Sequence, residues 1–94
     1  MQNMVYLVTT IFRNRNNVLF NPSMDSEVFP SYIDALRNIS LENRILKRCG
    51  YKVSHFRSKY RPEYGRCEMF KILAQKGAFS EEIVISRIST NGFH

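Results

Sequence analysis

The stretch Asn43-Arg-Ile-Leu-Lys-Arg-Cys-Gly50-Tyr-Lys-Val-Ser-His55-Phe-Arg-Ser-Lys-Tyr60-Arg-Pro62 decides the fold. Before Gly50 the apolar residues recur at helical spacing. After it, side chains alternate as in a strand. Lys47 and Arg48 stand where a helix dipole favours cations, and Gly50 stands where a left-handed residue closes a helix. Gly50 is therefore the point where the chain passes from helix to sheet. The same stretch holds seven of the fourteen basic residues, no acid, and the rings of Tyr51, His55, Phe56 and Tyr60.

Upstream, Ser31-Tyr-Ile-Asp34 has the spacing of a capping box with Pro30 just before it, so a helix starts there. Tyr32, Ile33, Leu36 and Ile39 form its first apolar stripe. At Ser40 the phase slips to Leu41, Ile45, Leu46 and Cys49. This predicts either one helix that bends or two, the second capped by Ser40. Arg37, Arg44 and Arg48 align on the outer side, a line that suits a phosphate backbone and equally a solvated helix face.

Further upstream, Met4 to Phe12 is rich in β-branched and aromatic residues and has apolar side chains on both faces, as an inner strand does. The Asn-rich segment Arg13 to Asn17 predicts a hairpin tip, with Val18 to Phe20 as the return strand. Met24 to Pro30 then reads as a connecting loop. Downstream of Gly50, Tyr51 to Tyr60 is a third strand. Its poor amphipathicity and its cations place it at an edge. Arg61 to Arg66 is a loop. Cys67 to Gln75 and Glu81 to Thr90 are the last strands, joined by a turn at Gly77, and Asn91 to His94 is a tail.

The expected architecture is α+β: a small single domain over residues 1–94, in the order β-β-α-β-β-β. An antiparallel sheet carries the helical segment across one face. A chain of 94 residues buries only ~60–65% of its unfolded surface, so the core is thin. No apolar run reaches the ~20 residues of a membrane span, and no secretory leader is visible, so a cytoplasmic location without membrane contact is expected. Cys49 and Cys67 lack any CxxC or disulfide pattern and read as reduced, half-buried thiols. Asn38-Ile39-Ser40 matches a glycosylation sequon but lies mid-helix.

Clustered metal ligands, phosphate-binding glycine loops and nucleophile elbows are all missing from the sequence. No cofactor is implied. The net charge of +6 favours an acidic partner. Basic charge mixed with rings is the chemistry of nucleic-acid contact. The candidate surface comprises Arg44, Arg48, Lys52, His55, Arg57, Lys59, Tyr60, Arg61, Tyr64 and Arg66.

The first expectation is a non-enzymatic protein that binds nucleic acid, RNA or DNA, through residues 44–66. The alternative is a protein-interaction module of the phage or mobile-element type, whose basic stretch meets an acidic surface of a larger host protein. A third reading is catalytic. His55, Arg57, Lys59, Tyr60, Arg61, Tyr64 and Arg66 supply the residue types of a metal-independent ribonuclease. The chain resembles the RelE group of mRNA-cleaving toxins in size, basic charge and a late run of strands. It departs from that group by opening with a hairpin instead of one strand followed by helices. A homodimer, if one forms, is expected through exposed strand edges.

Overall fold

A computed structural model describes residues 4–14, 23–57 and 66–89. The strands are β1 (Met4–Asn14), β2 (Ser23–Phe29), β3 (Lys52–Arg57), β4 (Arg66–Lys76) and β5 (Phe79–Ser89), and α1 (Tyr32–Arg48) lies between β2 and β3. The order is the expected β-β-α-β-β-β. The five strands form one antiparallel sheet ordered β2-β1-β5-β4-β3. The two strands that α1 joins are thus the two edges of the sheet.

That connection sets the shape. Four inter-strand gaps of about 4.8 Å make the sheet about 19 Å wide. The 17 residues of α1 extend about 25 Å. The helix is long enough to cross the whole sheet obliquely, and it does so over one face. It leaves β2 at the end where Phe29 pairs with Tyr6, and it enters β3 at the opposite end, where Lys52 pairs with Gln75.

Both helix ends are tied down by the residues that announce them. The Ser31 hydroxyl accepts from the Asp34 backbone N–H at 3.2 Å and donates to the Asp34 carboxylate at 2.9 Å. At the other end the Tyr51 N–H donates to the Leu46 carbonyl (3.0 Å) and the Gly50 N–H to the Lys47 carbonyl (3.1 Å). This is a Schellman closure, and it needs the positive φ of 89° that Gly50 adopts. Lys76 adds a further cap from the sheet, its Nζ donating to the Cys49 carbonyl at 2.6 Å.

Between the ends, Ala35, Ile39 and Leu46 of α1 pack on Val8, Ile72, Ala74, Ile83 and Ile85. Ala35 and Ala74 are fully buried, and their small side chains let helix and sheet approach closely. Each fully buried Ile contributes ~1.5–3 kcal/mol. Asn43 shares this stripe, and its buried Oδ1 lacks a hydrogen-bond partner.

Several expectations change. The helix is continuous, with neither a bend-and-restart nor a second cap at Ser40. Leu41 and Ile45 break the apolar phase because they face outward and are exposed. Met24 to Pro30 is not a loop: Ser23–Phe29 is β2, paired with β1 from Phe12↔Ser23 to Tyr6↔Phe29. As an edge strand it bonds on one side only and tolerates Asp25, Ser26 and Glu27. Val18 to Phe20 lies outside the described residues, as does the 91–94 tail. Arg13 and Asn14 belong to β1 and not to the tip, and the exposed Arg13 side chain pairs with Glu82 at 3.5 Å. Cys49 is exposed at the helix end and not half-buried. The inner place of β1 and the edge place of β3 are as expected.

Two substitutions test this account. Ser31→Ala should lower stability by about 1 kcal/mol in denaturant unfolding. Asn43→Leu should raise it by about 1 kcal/mol, because it removes a buried acceptor that pairs with nothing.

Candidate nucleic-acid interface

Because α1 crosses obliquely, it leaves two corners of its face that no other described element covers, and they differ in charge. One lies beside β2. Asp25 and Glu27 there face Asn38 and Glu42, which share one shoulder of the helix, around a small cleft of about 110 Å³. Glu81 on β5 carries a pKa above the ordinary carboxylate value, first because burial disfavours its charge and second because Glu42 repels it. This corner is acidic.

The other corner lies at the far ends of β3, β4 and β5. Side chains alternate along a strand, so the residues that follow Val53 and Ile85 at even spacing stay on the helix side. These are His55 and Arg57 on β3 and Arg87 on β5. Arg87 sits opposite Tyr6, whose ring packs against the core and lies 5.8 Å from Tyr32. Arg57 sits opposite Phe70. The exposed His55 ring stacks on the Phe70 ring, with 6.1 Å between centroids and 29° between planes. The result is a two-ring platform, anchored in the core through Phe70, with Arg57 at one side and Arg87 beyond Ile85 at the other. A planar base can lie on such a platform while guanidinium groups meet its phosphates.

The predicted surface does not stay together. His55 and Arg57 join this corner. Lys52 is exposed at the opposite end of β3 and points to the other face of the sheet, with Ser54 and Phe56. Arg48 is exposed in the last turn of α1, near the Lys52 end. Arg44 is exposed on the outer helix, where it lines a groove with Ile33, Leu36, Arg37, Ser40 and Leu41. Arg66 begins β4 opposite Ile88. Lys59, Tyr60, Arg61 and Tyr64 lie outside the described residues.

Arg87 and Phe70 were not in the predicted set. Arg87 stands alone among Ile, Ser and Thr in the sequence. The signal that finds it is parity: Ile83, Ile85 and Arg87 share a face, and a cation ends a row that is otherwise core. Phe70 is hidden for the opposite reason, because it reads as core and is core, yet it serves as the base of the stack.

No cluster of three His, Cys, Asp or Glu residues suited to a metal ion exists among the described residues. Among them, too, no helix is long and apolar enough to cross a membrane. Comparison with known families, curated proteins and solved structures finds no match to this chain.

The acidic corner makes its own prediction. Glu81 binds its proton more tightly folded than unfolded. Its favourable contribution is complete below the ordinary carboxylate pKa and is lost as pH rises through the raised value. Glu81→Gln should therefore melt higher than the parent protein at neutral pH. The two melting curves should converge in acid, below the normal carboxylate range.

Proposed function

We propose that this chain is a non-enzymatic binding protein that takes single-stranded nucleic acid at its basic corner. The observation that supports this most directly is the exposed His55 ring stacked on Phe70 with Arg57 and Arg87 on either side. Stacking a base on such a platform is worth ~1–3 kcal/mol and tolerates any sequence, since every base has a flat face. The arginines supply the phosphate contacts. The acidic corner repels a polyanion and so restricts how a strand can approach.

A second reading rests on another surface. The outer face of α1 exposes Ile33, Leu41 and Ile45 among Arg37, Arg44 and Arg48. Aliphatic side chains gain little against a phosphate backbone, whereas a protein surface that is both apolar and acidic would match them. The ribonuclease reading differs from both by predicting product. It draws on His55 and Arg57 in the corner.

Fluorescence anisotropy with labelled single-stranded RNA, single-stranded DNA and duplex DNA, at about 50 and about 200 mM salt, separates these readings. Saturable binding of a single strand that weakens with salt is expected. His55→Ala should reduce affinity by about 5- to 150-fold, the equivalent of one stacked base. Arg57→Gln and Arg87→Gln should each flatten the log–log salt slope by about 0.7. Flat traces at low salt, or full affinity in the folded variants, would remove the basic corner as the site. Shortening of the RNA during titration would move the assignment to catalysis.

A further inference from the structure

The outer side of α1 has a chemistry that the basic corner does not use. At about 100° per residue, Ile33, Leu41 and Ile45 fall with Arg37, Arg44 and Arg48 within about 120° of the helix circumference. This side lies opposite the buried stripe of Ala35, Ile39 and Leu46. Ile33, Leu41 and Ile45 are 62%, 56% and 46% exposed. Asp34, the one acid on this side, accepts from the Ser31 hydroxyl and lies 3.9 Å from Arg37. Arg44 and Arg48 have no ion-pair partner among the described residues.

A groove of about 530 Å³ on this side is lined by Ile33, Leu36, Arg37, Ser40, Leu41 and Arg44. Those six make two successive sets at i, i+3, i+4 and i+7. One is Ile33, Leu36, Arg37 and Ser40, and the next is Arg37, Ser40, Leu41 and Arg44. In helix-on-helix packing, four residues so spaced form the hole that receives one side chain of the facing helix. We propose that this groove seats an acidic amphipathic helix of another protein, an inference that rests on the second reading of function above and names its partner. The two holes are one turn apart, so the partner carries two large aliphatic side chains about four residues apart. Carboxylates beside them meet Arg44 and Arg48. The helix of a second copy would instead set its own Arg37, Arg44 and Arg48 against these cations. A phosphate backbone would leave the aliphatic groups unmatched, and a flat lipid surface would leave the holes unfilled.

A displayed library of random linear peptides, selected on the full chain, tests this. Enriched peptides should be acidic, carry aliphatic residues at i and i+4, and gain helical circular dichroism on binding. Leu41→Ser and Arg44→Glu should each weaken them by about tenfold or more, with the far-UV spectrum of the protein unchanged. His55→Ala should bind them as the parent does, and Leu41→Ser should keep the parent's affinity for single-stranded RNA. Acidic peptides that need Leu41 yet stay non-helical would overturn the helical partner and spare the second reading. Enriched peptides that lack acids, or that bind Leu41→Ser as tightly as the parent, would overturn both. So would the absence of any peptide enriched over the Leu41→Ser variant. Sedimentation of the parent, but not of Leu41→Ser, with vesicles of phosphatidylcholine and phosphatidylserine would overturn the proposal in favour of a lipid surface.

Discussion

The rest of the structure depends on one geometric constraint: a single helix must join the two outermost strands of a five-stranded sheet. The helix spans about 25 Å against a sheet about 19 Å wide, so the crossing is oblique and long enough only to cover a diagonal band. Within that band lie all the buried contacts between α1 and the sheet. The two ends of the band are the places where the chain reverses. Each is locked by hydrogen bonds, from the Asp34 N–H to the Ser31 hydroxyl at the start and from Gly50, Tyr51 and Lys76 at the finish. Lys76 accordingly has a structural task. Its charge caps a helix and lies 5.8 Å from the Tyr51 ring centroid.

The two corners that no other described element covers differ electrostatically. Asp25 and Glu27 are on one edge of the sheet, and His55 and Arg57 are on the other. The separation of about 19 Å exceeds the Debye length of about 10 Å at 0.1 M salt. At ordinary ionic strength each corner therefore presents its own field, and the acids do little to cancel the attraction of the cations. The net charge of +6 understates how basic one end of the molecule is.

The features that could be read from the sequence are those fixed by local chemistry. Ser31 and Asp34 cap a helix wherever they occur at that spacing, and Gly50 ends one because its φ is positive. β1, apolar on both faces, could only be an inner strand. The features that escaped depend on tertiary placement. β2 was invisible because an edge strand needs neither an apolar face nor strong β formers, and Asp25-Ser-Glu27 resembles a loop. Leu41 and Ile45 suggested a slip in helical phase, since an apolar residue is ordinarily assigned to the core. They face outward here, and the stripe under the helix is completed by Asn43. In the sequence the candidate surface is one run from Arg44 to Arg66. Strand alternation splits such a run between two faces, and the helix carries part of it to the far end of the sheet. Arg87 could join it only once β5 was known to lie between β1 and β4.

The two faces of this sheet offer different chemistry. Open sheets can take single-stranded nucleic acid directly on their faces, provided rings and uncommitted cations alternate there. On the face away from α1 two of the described cations are engaged, while Lys52 at the edge is exposed. The exposed ring on that face, Phe56, is approached by Lys71, and Lys71 and Arg13 share Glu82. At the centre of that face Thr9, Val84 and Ser86 are buried, and its exposed aliphatic side chains, Met24 and Val28, lie on the edge strand β2. The helix-side corner meets the condition in small compass, with a stacked imidazole and two guanidinium groups at the strand ends. Phe70 and Lys71 are adjacent in sequence, yet their side chains point to opposite faces of β4. Strand alternation thus lets one short segment support both surfaces.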